Sequence, residues 1–341
     1  MGLFKPAWQS DNEEKALRAV EKVIDQQKLA EIAKTAPLDD VRIAAVEKIV
    51  NQSVLEYIAK NDTDDYVRVS AIRKMTNQSA LLELAKRKDC NRHLDKVSYP
   101  SVVATKKLTE QNAISEVGLN AFEYCARVAA IENINDRSVL HKIAKNDKDE
   151  WVRAKAAVKI NDDMVLAKVI CSLEAGSSNT KKLFDMLKSE EAMLYIAVNM
   201  KHSGIKYIEH FDDPLREVGF PVIEESIKRI SNQKFLKVII ETGSVIAASA
   251  AFNKITDESV RVDILKNIET KDELKNIIKD EIEKLEDQII LQDIARNAKN
   301  SNARYFATCK LNDLSILKDI AKNDKDEWVR YVAEFRVNES K

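Results

Sequence analysis

The stretch Leu140-His-Lys-Ile-Ala-Lys-Asn-Asp-Lys-Asp-Glu-Trp-Val-Arg153 decides how this chain reads, because it returns. It reappears as Leu317-Lys-Asp-Ile-Ala-Lys-Asn-Asp-Lys-Asp-Glu-Trp-Val-Arg330 and, slightly altered, as Leu55-Glu-Tyr-Ile-Ala-Lys-Asn-Asp-Thr-Asp-Asp-Tyr-Val-Arg68. A weaker copy runs from Leu29 to Arg42. Leu29 to Leu55, Leu55 to Leu81, Ile114 to Leu140 and Leu291 to Leu317 are each 26 residues apart. Self-similarity at a fixed short period marks a stacked array, whose units bury their apolar faces only against neighbours.

Each unit reads the same way. A short helix A, such as Leu55–Lys60, places apolar residues at i, i+3 and i+4 on one face. A turn of Asn and Asp follows, residues whose side chains suit turns and N-caps. Helix B then carries Val-Arg-x-x-Ala. Comparing its copies gives a profile within one chain. One column is Ala45, Ala71, Ala104, Ala130, Ala156, Ala307 and Ala333. An unbroken alanine column means that two helices approach too closely for a larger side chain. Four places on, Ile49, Met75, Leu108, Ile134, Ile160, Leu311 and Val337 bury the same face. Before the first unit, residues 1–9 read as an extended arm carrying Phe4 and Trp8. Ser10–Glu13 then reads as a capping box opening a helix that covers the end of the stack, and Ser53 with Glu56 reads as another.

The pattern L-x-x-I-A-x-x-D-x-D-x-x-V-R-x-x-A-x-x-K-I resembles the HEAT repeat, in the short variant seen in bacterial HEAT-like proteins. The match is specific over 29–165 and 291–337. It weakens over 166–290, where the spacing drifts to about 30 residues and the arginine column lapses at Ile223 and Ala248. The usual HEAT period is about 40–47 residues, so these helices must be short. The resemblance implies an all-α fold, a right-handed α-solenoid of about eleven HEAT-like helix pairs. Its divisions are an N-terminal arm and capping helix (1–28), regular repeats (29–165), degenerate repeats (166–290) and regular C-terminal repeats (291–341), forming one continuous solenoid. Three places break the rhythm: an insertion within Arg87–Ser101, a linker at Glu174–Asn179 and a loop at Phe211–Pro221. Insertions in repeat proteins map to loops on one face, often the binding face.

Composition agrees with a helical chain. Only 6 Gly and 5 Pro occur in 341 residues, and a third of the residues are charged. The formal net charge of −1 creates no global field for nucleic acid or an anionic membrane, although 81–107 holds seven Lys/Arg against three acids. Conversely, 257–293 holds twelve acids against six bases. Cys90, Cys125, Cys171 and Cys309 are too scattered for a disulfide framework and read as reduced thiols of a cytoplasmic protein. No apolar run is long enough to span a bilayer, and Met1–Trp8 does not read as a signal peptide. Gly2 suggests myristoylation, but Pro6 stands where that motif wants Ser or Thr.

Three columns carry the candidate functional residues. Arg42, Arg68, Arg127, Arg153, Arg304 and Arg330 could form an anion-binding row. The reading adopted is a structural ladder, each guanidinium pairing with a preceding turn acid (Asp39, Asp64, Asp149, Asp326), as the resemblance implies. Lys48, Lys74 and Lys107, with Lys159, Lys254 and Lys310, form a second column near the end of helix B. They could track an acidic tail or a nucleic-acid backbone, but with a net charge near zero the reading adopted is a solvated role complementing their own helix dipole. Two places before the arginine stand Tyr66, Tyr99, Cys125, Trp151 and Trp328. Tyr66, Tyr99 and Trp151 would form an aromatic recognition edge beside the turns, unless each ring simply lids its own repeat.

No constellation reads as catalytic. Cys90-x-x-His93 is half of a zinc spacing with no second half, and His141, His202 and His210 complete no triad. Glycine-rich phosphate loops are missing, and Glu190-Glu191 and Glu224-Glu225 read as solvated helix faces. The sequence therefore predicts a non-enzymatic scaffold without cofactor or metal. It would bind an unidentified protein through the concave helix B face, the inserted loops and the aromatic edge. The last copy shows Trp328, Tyr331 and Phe335 and no polar capping unit, which predicts a homo-oligomer joined through the C-terminal repeat. Two alternatives come from the resemblance: a DNA-binding protein of the HEAT-like alkylated-DNA glycosylase type, supported by 81–107, and a helper resembling the HEAT-like phycobilin lyases.

Overall fold

In the computed structural model, residues 5–88, 99–173, 178–200, 220–269 and 274–339 are described. Among them are 23 α-helices, one 3-10 turn at Ala7–Gln9 and no strand. Two units are formed, Met1–Val165 and Leu166–Lys341. In the first, α1 (Glu13–Glu21) precedes five pairs. These are α2 (Gln26–Thr35) with α3 (Asp39–Lys48), α4 (Gln52–Asn61) with α5 (Asp65–Lys74), and α6 (Gln78–Lys86) with α7 (Pro100–Lys106). Then come α8 (Gln111–Asn120) with α9 (Tyr124–Ile131) and α10 (Arg137–Asn146) with α11 (Glu150–Ile160). Each helix B packs on the previous helix B, from α1 to α11, and each helix A on the previous helix A.

Helix α12 (Asp163–Ser172) crosses the unit boundary. The second unit continues with α13 (Ser178–Phe184), α14 (Glu190–Asn199) against α15 (Phe220–Arg229), and α16 (Gln233–Thr242) against α17 (Val245–Lys254). Next are α18 (Glu258–Asn267), which lies between α16 and α20 (Gln288–Asn297), and α19 (Lys275–Glu283), which packs on α21 (Ser301–Cys309). The last pair is α22 (Leu314–Asn323) with α23 (Glu327–Glu339). The fold is an all-α solenoid of stacked helix pairs. Phe220 and Pro221, read from sequence as loop, open α15, while 89–98, 174–177 and 201–219 lie outside the described residues. Most of the three expected rhythm breaks falls there.

Packing follows the two apolar columns. All seven alanines of the helix B column have no exposed surface. Ile49, Met75, Ile134 and Leu311 beside them are equally buried. In helix A, Gly118 stands where other copies have Ala33, Ala59, Ala144 or Ala295. A methyl added there would come within 2.6 Å of Ile134 Cδ1, so this pair packs even more closely.

Helix starts are set by Asn and Asp. Asn51, Asn77 and Asp136 accept from amides two or three residues on at the A helices, as do Asp64, Asp149 and Asn300 at the B helices. Two expected capping boxes are displaced. The cap of α1 is Asn12, bonded to the Lys15 amide at 2.9 Å, and the cap of α4 is Asn51 rather than Ser53. At α1 Asn12 adjoins the helix while Ser10 stands two residues further out, and at α4 Ser53 already lies inside the helix that Asn51 caps. Glu56 instead accepts from Asn77 Nδ2 at 2.8 Å. The arm is also different from expectation. Trp8 sits in the 3-10 turn, 4% exposed against α1, with Lys28 Nζ 5.4 Å from its ring centre. Phe4 lies outside the described residues.

The arginine ladder exists, but it runs between repeats. Arg42 grips Asp62 bidentately, Nε to Oδ2 at 2.9 Å and Nη2 to Oδ1 at 3.0 Å. Arg127 grips Asp147 with both bonds at 2.8 Å, and Arg304 grips Asp324 at 2.8 and 3.1 Å. Each partner lies 20 residues later, in the turn of the following pair. The acids expected to pair, Asp64, Asp149 and Asp326, cap helix B of their own repeat instead, and Asp39 lies in the first turn of α3. The remaining nitrogen, Nη1, holds the end of the arginine's own helix A by donating to Ala36, Ala121 and Ala298 carbonyls. Where the next turn lacks the aspartate the ladder changes. Lys88 stands 20 places after Arg68, which turns to Asp65 at 3.0 Å and to the Ala59 carbonyl. Burial lowers the pKa of this guanidinium.

A glutamine column passed unnoticed in the sequence. Gln26, Gln52, Gln78, Gln111 and Gln288 open their A helices. Each side chain donates to a carbonyl at the end of the partner helix B, such as Lys74 for Gln52. It also accepts the amide two residues later, such as Thr76 at 2.9 Å. The other four repeat this clasp at 24 to 31 residues' separation. One amide side chain thereby satisfies both sides of an otherwise open turn.

The separation of the two aspartate roles is measurable. Asp147→Ala should strand the Arg127 guanidinium, whose side chain is 3% exposed, and lower stability by about 3–5 kcal/mol. Asp149→Ala should lose only a cap, about 1 kcal/mol. Equal losses in urea titrations would contradict the ladder between repeats.

Candidate interaction surface

The lysine column proves to be anchored. Lys48 Nζ donates to the carbonyls of Val20 (3.1 Å) and Glu21 (2.7 Å), at the end of α1. Lys74 reaches Glu47, and Lys107 reaches Arg73 at 2.6 Å. Lys159 does the same to Ile131, Lys254 to Ile227 and Lys310 to Glu283. Each ammonium therefore caps the C-terminus of the preceding helix B, not its own, where a cation meets both orphan carbonyls and the negative dipole end. The solvated reading is corrected on this point. These lysines spend their donors on stacking, and burial lowers the pKa of Lys159.

Three bases of the segment 81–107 are similarly engaged. Lys86 pairs with Glu116, Arg87 Nη1 donates to the Lys60 carbonyl at 3.0 Å, and Lys107 caps α5. The aromatic edge is rearranged. Tyr66 is 57% exposed, Trp151 is half-buried with Lys155 Nζ 4.8 Å from its ring, and Tyr99 packs with Tyr124 on Val102, Cys125 and Ala129. Tyr99 is thus partly core, because the residue two before the next arginine is the buried Cys125 and leaves space for a ring.

An aromatic that the repeat columns did not flag joins this region. Phe122, in the turn between α8 and α9, is 47% exposed and lies between Lys88 (4.8 Å) and Lys148 (5.2 Å). Lys148 occupies the equivalent turn position one repeat later, and Lys88 stands in the turn after α6. The turns after α6, α8 and α10 thus carry an exposed ring between two ammonium groups, and the Trp151–Lys155 pair lies in α11, which follows the Lys148 turn. Phe122 was detectable only as a large apolar residue in a turn, a weak signal in a chain read by its columns. A lysine held over a ring face keeps its outer hydrogens available to an acceptor.

Among the described residues, no group of three or more His, Cys, Asp or Glu could hold a metal. Cys90, His93, His202 and His210 lie outside them. Cys125, Cys171 and Cys309 are free thiols, and burial pushes Cys171 up to about 12, far from a nucleophile's range. No described helix is long and apolar enough to cross a membrane. Compared with known proteins, the chain matches no protein-family model and no curated protein.

If the lysine column serves stacking, Lys48→Ala should lower the stability of the first unit by about 1 kcal/mol. A merely solvated lysine would stay within about 0.5 kcal/mol. Thermal unfolding followed by circular dichroism separates the two.

Proposed function

We propose that this chain is a non-enzymatic, cytoplasmic HEAT-like repeat scaffold that captures an acidic segment of another protein. The proposed surface is the turn edge around Phe122, Trp151 and Tyr66. One observation carries the reading: the recurring polar columns are occupied in stacking, whereas the ring and lysine groups of this edge face solvent. A carboxylate-bearing strand or helix would find three lysines there, Lys88, Lys148 and Lys155. An apolar side chain of the same segment could cover Phe122 or Tyr66. HEAT-like relationship is supported by the A–B pairing, the alanine seam and the arginine–aspartate ladder.

The charges of this edge are few, so a partner recognised there is better matched to a short acidic motif than to a nucleic-acid backbone. Phosphate tracking draws on many lysines and arginines at once. Those of the lysine and arginine columns are committed to carbonyls and carboxylates.

The test is affinity capture from native cytosol with wild-type chain and with the Phe122→Ala/Trp151→Ala/Tyr66→Ala variant. Loss of a bound protein that carries an acidic stretch, at unchanged melting temperature, is the expected result. Identical capture by both chains would remove this edge as the binding site. Lys48→Ala should capture normally.

A further inference from the structure

On the face away from the core, neighbouring A helices are joined by ion pairs. Lys60 of α4 meets Glu83 of α6 at 2.6 Å, and Lys86 of α6 meets Glu116 of α8. In the second unit the same kind of rung joins Lys237 to Asp263, Lys266 to Asp293 and Arg296 to Asp319. Between α2 and α4 a ring takes the acid's place, with Lys34 Nζ 4.5 Å from the centre of Tyr57.

Between α8 and α10 the rung is lost at both ends. Leu119 stands in α8 where Lys60 and Lys86 stand in α4 and α6, and Lys142 stands in α10 where the others have Glu83 and Glu116. Helix α10 holds no acid of its own. Asp136 before it is its N-cap, and Asp147 after it is taken by Arg127. Its exposed side chains include Arg137, His141, Lys142 and Lys145, and the exposed Lys148 follows in the turn. Among the described residues none of these side chains is in an ion pair. One sign of charge therefore accumulates on α10, where the other outer faces alternate, and a counter-charge is favoured there.

We propose that this basic row binds the carboxylates of an acidic protein segment, whose apolar side chain covers Phe122. The inference rests on the acidic-partner reading above and deepens it. Arg137, His141 and Lys145 recur every four residues, about 6 Å along the helix. Alternate side chains of an extended chain repeat at about 6.5 Å, so a segment with Asp or Glu at every second place lies along α10 in step. Lys148, 5.2 Å from the Phe122 ring, joins the row to the ring. A longer polyanion crossing on to α6 and α8 would meet Glu83 and Glu116, so the row suits a segment that stays on α10.

Fluorescence anisotropy of a labelled peptide that alternates Glu with Ser and ends in Leu tests this. The full wild-type chain should bind it at low salt and release it as salt rises. Lys142→Glu/Lys145→Glu, which gives α10 the acid that its neighbours carry, should weaken binding at least about tenfold. Lys318→Glu/Lys322→Glu makes the same change of charge on α22 and should bind as wild type does. All four lysines are exposed, so the melting temperature should stay close to that of wild type. A wild type that ignores the peptide, or equal weakening by both double variants, would overturn the proposal. So would tighter binding of duplex DNA or of a phosphatidylserine vesicle that the α10 variant loses, because the row would then serve another polyanion. The Phe122→Ala/Trp151→Ala/Tyr66→Ala variant separates the two readings. If it alone loses the peptide, the turn edge stands and the α10 row falls; if the α10 variant alone loses it, the row stands and the rings fall.

Discussion

Seven alanine methyls determine how closely the B helices can approach, and most other features depend on that separation. At this distance a side chain rooted in one repeat reaches backbone atoms of the next. Lysine can then span to the previous helix end, and arginine can reach the following turn. A larger residue in the seam would lengthen both reaches beyond hydrogen-bonding range. Close packing and polar connection are thus one constraint, with dispersion and burial supplying the attraction and the polar columns supplying register.

The polar columns solve a problem specific to short helices. A ten-residue helix leaves four amides and four carbonyls unpaired at its ends, a large share of its backbone. Asn and Asp side chains serve the N-termini, lysines from the following repeat serve the C-termini of the B helices, arginines hold the ends of the A helices, and glutamines close the turns behind the B helices. This division accounts for the recurrence of these polar residues: each one closes a helix end or joins one pair to the next.

Helix content, the pair-by-pair organisation and the alanine seam were all legible, because they depend on local periodicity and on residue size at a repeated place. The ladder's existence was legible too, but not its direction. Asp62 and Asp64 are both near Arg68 and both lie in the turn before α5. Which of them caps the helix and which accepts a guanidinium depends on the offset between adjacent pairs. That offset is a distance across space, and a single copy of the repeat contains no record of it. Tyr99 shows the same limit: its column marked it as an edge residue, yet the buried Cys125 beneath it draws the ring inward.

By itself the sequence determined the repeating element, its helical character and the residues that must be buried, since these follow from spacing along the chain. Only the tertiary structure decided which atoms the recurring charges meet. A lysine or arginine side chain reaches beyond its own turn, and its partner is chosen by the packing of neighbouring repeats rather than by neighbours in sequence.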